Sequence, residues 1–360
     1  MKINRTEERD AFHEGSIPDT EKRGLSGKSV IVLLALAMLL SVIVSFSVGR
    51  YPVGIRELAG ILLSKVPFAE TEPFWTSSQS MAVWNVRLPR ILLAVLVGAS
   101  LSAAGAAYQG VFQNPIASPD ILGASAGAGF GAAMGIFFDL NSAGVTAAAF
   151  LMSLAAVAFV FVIGSRVKGE KTLGLVLAGI MISSLFQSGT SFIKLIADPN
   201  NKLPAITYWL MGSLAGADKA DLKFVIWPVL VGMIPLFLLR WRINVITMGD
   251  GESRAMGVDA GKVRMVVVFS ASLLTASAVS VSGMIGWVGL IVPHMMRRLV
   301  GSDYRILLPA SVLAGGTFLL LVDDLSRNLA SAEIPIGIMT AIIGAPLFLL
   351  LITRRDTWHD

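Results

Sequence analysis

The polar stretch GDGESRAMGVDAGKVR (residues 249–264) lies between two long apolar runs at 222–239 and 263–281. It holds six charged residues, whereas the runs on either side hold almost none. Asp250 and Asp259 are residue types that cap helices, and Gly257 between them can end one. The pattern therefore predicts two short helical pieces joining two membrane helices. They form either a plain solvated loop or a rigid docking surface for a soluble partner.

The composition indicates a membrane protein. Of the 360 residues, 54% are hydrophobic and 15% are charged, and the mean hydropathy is +0.73. Soluble domains carry about 25% charged residues. A chain this apolar needs hydrocarbon around it, and its apolar runs have the length of membrane-spanning helices. We therefore predict an all-α polytopic membrane protein that contacts the lipid bilayer.

Residue types that carry common chemistry are scarce. The chain has no cysteine, which excludes disulfides and thiolate metal ligands. Its three histidines, His13, His294 and His359, are scattered, so we expect no metal site. The sequence pI near 9.6 comes from few charges and gives no reason to expect a nucleic-acid partner.

The two ends of the chain predict polar tails around one membrane domain. Residues 1–28 are polar and mixed in charge and predict a disordered tail, residues 29–352 form the membrane domain, and residues 353–360 form a second tail. The letters GKS at 27–29 end like a phosphate-binding loop, but Lys22 stands where that motif requires glycine. We therefore expect no nucleotide or other cofactor in this chain.

Nine apolar runs are long enough to cross a membrane. They lie at residues 29–48, 88–108, 121–138, 143–165, 173–195, 222–239, 263–281, 306–322 and 336–352. A tenth candidate, residues 285–296, is short and contains Pro293. Spanning normally takes about twenty residues, so length alone leaves this segment ambiguous.

The distribution of positive charge favours ten spans. If residues 285–296 cross and the N-terminus is cytoplasmic, 19 of the 29 Lys and Arg residues lie inside; without that crossing the split is 15 to 14. Cytoplasmic loops carry an excess of Lys and Arg. We therefore predict ten spans in the cytoplasmic membrane with both termini cytoplasmic. Residues 249–264 are then cytoplasmic, and the outer side includes a long loop at 49–87 and a stretch at 204–214 that fits a half-helix or an interfacial anchor.

Small residues recur in the third run. Gly123, Ser125 and Gly127 match the G-x-S-x-G pattern of hydrolases, but that motif needs a strand-to-helix turn with a histidine and an acid nearby. Glycine stands at 123, 127, 131 and 135, a spacing that puts these positions on one helix face where another backbone can approach closely. We predict that Gly123, Ser125, Gly127 and Gly131 pack against a neighbouring helix and border a pathway.

Two further segments could line a cavity. Residues 114–120 carry two prolines and no Lys or Arg, and form either a tight turn or an element at the inner mouth of a pore. The short tenth candidate contains Gly286, Gly289 and Pro293, and a span interrupted by glycine and proline is typical of a cavity lining. We expect His294 to be a structural group, because the same span holds no acidic partner for a proton relay.

Charged residues gather at the predicted outer ends of two spans. Arg87 and Arg90 stand at the second span against the positive-inside bias, which predicts that something outside uses them. Arginine is suited to recognising carboxylates. A second group, expected at the membrane interface because charges at the bilayer centre are costly, stands at the ninth span: Asp323, Asp324, Arg327 and Glu333.

Three long motifs resemble one family of transport proteins. Residues 87–135, beginning RLPRILLAVLVGASLSAAG, resemble the second and third spans of the FecCD-like ABC importer permeases for iron-siderophores, haem and vitamin B12. GMIGWVGLIVPHMMRRLVGSDYR at 283–305 resembles the eighth span of that family, and EIPIGIMTAIIGAPLF at 333–348 resembles the tenth. The resemblance covers about residues 29–352, in order.

The resemblance implies a type II ABC importer permease fold with ten spans and inverted repeats, which is a transport subunit and not an enzyme. It implies a homodimer with the pathway at the two-fold interface, two cytosolic ABC ATPase subunits and an extracytoplasmic substrate-binding protein. Arg87, Arg90 and Arg327 match positions where the family meets acidic residues of the binding protein. The ATPase would receive the segment that contains Asp250, Glu252, Arg254, Ala255, Met256, Gly257, Val258 and Lys262.

Alternatives remain for the substrate and for the mechanism. We expect an iron chelate, either a siderophore complex or haem, but corrinoid and molybdate-type oxyanion importers share these motifs. An ion-coupled secondary transporter would need ionisable groups at mid-membrane, which most of the runs lack. An intramembrane enzyme would need a paired nucleophile and base, which the G-x-S-x-G match does not supply. We therefore expect no catalytic residues.

Overall fold

The computed structural model describes residues 26–64, 74–164, 166–167 and 171–353, and their regular elements are all helical. The predicted tails lie almost wholly outside these ranges. The α-helices of the described part are α1 Gly27–Ser47, α2 Ile55–Leu63, α3 Ser77–Met81, α4 Leu88–Val111, α5 Ala124–Phe137, α6 Ser142–Gly164, α7 Lys171–Ile196, α8 Lys202–Leu210, α9 Lys219–Ile246, α10 Asp250–Ala255, α11 Ala260–Ser282, α12 Val288–Val300, α13 Tyr304–Asn328 and α14 Ile336–Thr353.

Seven helical stretches of the described chain are long and apolar enough to cross a membrane. They are α1, the continuous stretch Ser77–Val111, α6, the Leu173–Ile196 part of α7, α9, α11 and α13. Helix α5 and the Ile336–Leu351 part of α14 are also apolar but are shorter than these seven. The predicted all-α class of polytopic membrane protein is therefore confirmed.

The segment before α4 differs from the prediction. The sequence predicts a loop over 49–87, but α3, a π-helical stretch at Ala82–Arg87 and α4 form one continuous helix. Thr76 and Gln79 start this helix with a capping box, in which Gln79 N donates to Thr76 Oγ1 (3.2 Å) and Thr76 N donates to Gln79 Oε1 (2.8 Å). Because the cap satisfies backbone donors locally, the helix begins well before the apolar run.

Three helices form the centre of the bundle. α4 and α11 are mostly buried, α13 packs along α4, and α1 and α9 lie at the periphery. A Cβ on Gly98 would lie 2.2 Å from Gly315 O, and a Cβ on Gly105 would lie 1.7 Å from Gly289 O. The backbone of α4 therefore contacts those of α13 and α12 directly, as small residues permit in membrane helices.

The two ends of α13 define the two ends of the molecule. At its start, Tyr304 N donates to Asn244 Oδ1 of α9 (2.7 Å), and its hydroxyl donates to Ala106 O of α4 (3.1 Å). We call this the coupling end, because residues 249–264 follow α9 there. The far end of α13 holds Arg327, and we call it the arginine end. A helix of 25 residues is about 37 Å long at ~1.5 Å per residue.

Two of the predicted spans are interrupted. A 3₁₀ turn at Pro119–Leu122 and the left-handed Gly123 (φ 76°) precede α5, which is only 14 residues long. Non-helical residues 283–287 precede α12, with positive φ at Gly283 (67°) and Trp287 (72°). Irregular backbone of this kind is tolerated at membrane depth where protein covers it. Ser213 N supplies one such contact by donating to Ser282 O (2.7 Å).

Candidate functional site

Residues 249–264 fold as two helix ends joined by a tight turn. α10 ends at Ala255, Gly257 turns the chain with φ of 74°, and Asp259 caps α11 by accepting from Lys262 N (3.1 Å). That hydrogen bond lowers the pKa of the Asp259 carboxyl below its ordinary value, so the cap is ionised at neutral pH. The predicted cap at Asp250 is wrong, because Asp250 is the first residue of α10 and accepts from Arg264 Nη2 (2.9 Å).

Buried residues hold this turn against the ends of α9 and α11. Ser253 is fully buried, and its hydroxyl lies 3.0 Å from Val245 O and 2.6 Å from Gly249 O. Val258 is also buried, and its N–H donates to Ser253 O (2.8 Å). The segment is therefore a fixed projection of the bundle and not a free loop.

The outer surface of the segment carries most of the predicted coupling residues. Met256 is 50% exposed, and a methionine side chain adapts readily to a partner surface. Val258 is the exception, since its side chain faces inward. The other exposed members are Asp250, Glu252, Arg254, Ala255, Gly257 and Lys262. Together they present a short knob of mixed charge at the coupling end.

The predicted outer arginines meet acidic residues of the same chain. Arg90 pairs with Asp323 (2.8 Å) and Glu333 (3.1 Å), and Arg327 pairs with Asp323 (3.2 Å) and Asp324. The side chains of Arg90 and Arg327 are 6% exposed, and that of Asp323 is fully buried. We call these residues the arginine cluster. It joins α4 to α13, and Ser45 of α1 donates to Asp324 (2.7 Å).

Arg87 is buried beside this cluster without a carboxylate partner among the described residues. Its guanidinium donates to the backbone carbonyls of Phe46 and Tyr51. A cavity of about 320 Å³ opens here, lined by Gly49, Arg50, Arg87, Arg90, Arg327 and Glu333. Docking of a binding protein on Arg87, Arg90 and Arg327 stays a prediction. The sequence predicts arginines and acidic residues at this end of the molecule, but it does not predict that they form ion pairs with each other.

The predicted glycine-rich positions make close backbone contacts. A Cβ on Gly127 would lie 2.5 Å from Met152 O, and one on Gly131 would lie 2.3 Å from Ala148 O, so both glycines face α6. Gly123 lies outside α5, and the Ser125 hydroxyl bonds to Asp120 in the preceding 3₁₀ turn. No strand precedes Ser125 in the described chain, as a hydrolase elbow would require.

The short span around α12 contains the other predicted pathway residues. A Cβ on Gly289 would lie 2.4 Å from Pro119 Cγ, whereas one on Gly286 would meet nothing within 4 Å. Pro293 is buried inside α12. The role of these residues in a pathway stays a prediction. The described residues include no group of three or more His, Asp or Glu placed to hold a metal ion.

Comparison with solved structures identifies the class of protein. The chain matches an inward-facing metal-chelate-type ABC transporter with a TM-score of 0.81 and 37% sequence identity, over 91% of this chain and 100% of that chain. The fold is that of an ABC transporter permease, the membrane-spanning transport subunit.

Sequence comparison gives the family. The model of the FecCD transport family matches residues 36–354, and the chain belongs to that family. The molybdate import permease protein MolB of Haemophilus influenzae is 39% identical over 321 residues, covering 89% of this chain and 94% of that protein. The cobalamin import permease protein BtuC of Halobacterium salinarum is 41% identical over 275 residues, covering 76% and 74%. The predicted resemblance is confirmed.

Proposed function

We propose that this chain is the permease of an ATP-driven importer that carries an iron chelate, either a siderophore complex or haem, across the cytoplasmic membrane. The knob formed by exposed residues between 250 and 262 carries this proposal, because it projects from two long helices and is held by buried Ser253 and Val258. Such a knob can transmit movement of a soluble ATPase pair to the helices. The similarity to a metal-chelate-type transporter supports the cargo. The cobalamin and molybdate permeases among its relatives make a corrinoid and an oxyanion the alternative cargoes.

The proposed topology has ten spans with inverted repeats and both termini in the cytoplasm. The seven long helical stretches, together with α5, α12 and α14, would supply ten crossings. The charge distribution supports this count, because ten spans would put 19 of the 29 Lys and Arg residues on the cytoplasmic side, as the positive-inside rule expects. An extracytoplasmic binding protein would then dock at the arginine end.

The proposed assembly is a homodimer with two ATPase subunits. One face of α7 exposes a polar stripe at helical spacing, formed by Ser184, Gln187, Ser188 and Ser191. Polar side chains that face lipid are unfavourable, whereas polar residues against a neighbouring helix or a water-filled pathway are common. The three serine hydroxyls donate to carbonyls of their own helix, so the exposed amide of Gln187 is the group least suited to lipid. It supports a second copy of the chain and a pathway on this side.

An ion-coupled transporter remains the alternative class. It would need a carboxylate at mid-membrane that is available to bind the coupling ion. The buried carboxylates of α13, Asp323 and Asp324, instead lie at the arginine end and are paired with arginine. This pairing favours the ATP-driven mechanism.

The knob can be tested by charge reversal. The double variant Arg254→Glu with Lys262→Glu changes two exposed residues of the segment. We expect it to abolish both co-purification of the ATPase encoded beside this gene and uptake of a radiolabelled iron chelate, because a docking surface is sensitive to reversed charge. The matched control is Arg240→Glu with Arg242→Glu, two exposed arginines of α9 at the same end.

Two results would contradict the proposed coupling: no ATPase co-purifies with the wild-type chain, or the double variant binds and transports normally. Uptake of labelled cobalamin and molybdate, measured in the same cells, separates the cargoes. If the cells take up cobalamin or molybdate and not the iron chelate, the proposed cargo is wrong, but the proposed coupling to an ATPase still holds.

A further inference from the structure

A second cavity lies at the coupling end, outside residues 249–264. Its volume is about 490 Å³, enough for a small ion with several waters at ~30 Å³ each. None of its described lining residues is Asp or Glu. Polar groups converge on it from α4, α9, α12 and the start of α13, and six of them are Gln109, Thr247, Arg297, Arg298, Ser302 and Tyr304.

Arg297 is the central cation of this cavity. Within the described part of the chain its Nη2 donates only to neutral oxygens, at 3.1 Å to Tyr304 Oη and 3.4 Å to Gln109 Oε1. Its Nε is buried and has no hydrogen-bond partner among the described residues. That enclosed Nε cannot reach an ion in the cavity, but Arg297 has no carboxylate partner among the described residues. A partly buried guanidinium without such a partner favours an anion, because burying a charge is costly unless it is paired.

The nearest carboxylate in sequence does not supply that anion. Asp303 lies between Ser302 and Tyr304 but does not line the cavity. Its Oδ1 accepts from Asn244 Nδ2 (2.6 Å) and from Arg305 N (2.9 Å) as the cap of α13. Its hydrogen bonds to Arg305 lower the pKa of its carboxyl to about 2, so it remains an ionised cap and is committed elsewhere.

We propose that this cavity binds a small tetrahedral oxyanion of the phosphate and sulfate class, taken from the aqueous phase, with Arg297 as the principal contact. A guanidinium offers donors in a fixed fork, and oxyanions accept charge-assisted hydrogen bonds from it. The hydroxyl of Ser302, which also lines the cavity, can add a further donor, whereas that of Thr247 already donates to Asn244 O (2.7 Å). The site is separate from the ATPase knob and does not depend on which cargo the permease carries.

The test is equilibrium dialysis of the full chain, purified in a maltoside detergent at low salt, against radiolabelled sulfate and, separately, phosphate. We expect saturable binding of one ion per chain. Ser302 is exposed, so a substitution there should be tolerated by the fold. Ser302→Asp should weaken binding at least tenfold, roughly what a like charge a few ångströms away produces. The near-isosteric, neutral Ser302→Asn should bind about as tightly as wild type.

A second pair of variants tests the principal contact. Arg297→Gln should weaken binding by about tenfold or more, since a charge-assisted hydrogen bond is lost. Arg240→Gln, an exposed arginine at the same end that does not line the cavity, should leave binding unchanged. If Arg297→Gln fails to fold, as judged by tryptophan fluorescence, the Ser302 pair still decides the matter.

Several outcomes would overturn the proposal. They are the absence of saturable binding of either ion, equal binding by Ser302→Asp and Ser302→Asn, and an equal loss in Arg240→Gln and Arg297→Gln. A parallel series in nanodiscs with and without phosphatidylglycerol separates a free ion from a lipid headgroup. Binding that requires the anionic lipid would also overturn the assignment to a free ion.

Discussion

At the scale of single residues, the arginine cluster is the most demanding arrangement in the molecule. Asp323 has no exposed surface and lies between Arg90 and Arg327. Buried charges are tolerated only when partners and hydrogen bonds satisfy them. Arg90 and Arg327, which the sequence predicts to contact a partner outside, therefore form ion pairs that hold α4 and α13 together.

Neutralising Asp323 should therefore destabilise the protein strongly. Asp323→Asn leaves Arg90 and Arg327 facing an uncharged amide, and removing one partner of a buried ion pair costs about 3–5 kcal/mol. The free energy of unfolding can be followed by the fluorescence of the seven tryptophans during chemical denaturation. Asp139→Asn is the control, because Asp139 is 76% exposed and pairs with Lys202 at 2.5 Å. The control should lose no more than about 1 kcal/mol, and equal effects would refute a structural role for Asp323.

At the scale of elements, the contact between α12 and its neighbours decides how the short span is held. Gly289 lies against the ring of Pro119 and the backbone of Leu101, 2.4 and 2.7 Å from where its Cβ would be. The 3₁₀ turn before α5 is thereby pressed onto α12. Both interrupted spans are consequently covered by protein where their backbone is irregular.

A methyl group at Gly289 should disturb this contact, whereas one at Gly286 should not. Gly289→Ala forces a side chain into rigid neighbours, and overpacking of a core costs about 1–3 kcal/mol. Gly286→Ala has open space within 4 Å and no positive φ. Thermal unfolding in detergent should show a lower midpoint for Gly289→Ala and an unchanged midpoint for Gly286→Ala. Equal midpoints for the two variants would argue against close packing at α12.

The sequence predicts the elements better than their ends and contacts. Apolar runs locate the long helices because hydropathy is a local property, and Gly257 and Asp259 mark the joint and the cap in 249–264. The helical stretch before α4 is missed because the capping box at Thr76 lies in a polar segment. The pairing of Arg90 with Asp323 is missed because it joins residues far apart in sequence, which only the packing of α4 on α13 brings together.

At the scale of the whole molecule, the exposed surfaces of α9 and α7 differ in polarity. α9 exposes mainly large apolar side chains such as Trp227 and Leu238, as expected of a lipid-facing helix. α7 also exposes large apolar side chains such as Leu185 and Phe192, but three serines and Gln187 lie among them. The polar strip on α7 is therefore the part of this surface that we expect a second copy of the chain, or water, to cover.

Cross-linking can locate the second copy. Because the chain has no cysteine, single substitutions at Ser184, Ser188 or Ser191 each create one reactive thiol. We expect at least one of them to give a bis-maleimide product of twice the 38.2 kDa chain mass in native membranes, detected by denaturing electrophoresis. Ile234→Cys, on the exposed apolar face of α9, should remain monomeric. If only Ile234→Cys gives a cross-linked dimer, the interface involves α9 and the predicted interface at α7 is wrong.

The glycine contacts of α4 also have a mechanical consequence. Because Gly98 meets Gly315 and Gly105 meets Gly289 backbone to backbone, sliding α4 along α13 or α12 would drive larger side chains into main-chain atoms. Helices α4, α12 and α13 should therefore move as one rigid body. The arginine cluster joins α4 to α13 at one end, and the group contacts α9 at the other. A rigid group of helices tilts along its full length. We therefore expect one rotation both to widen the space beside these helices at the coupling end and to narrow it at the arginine end.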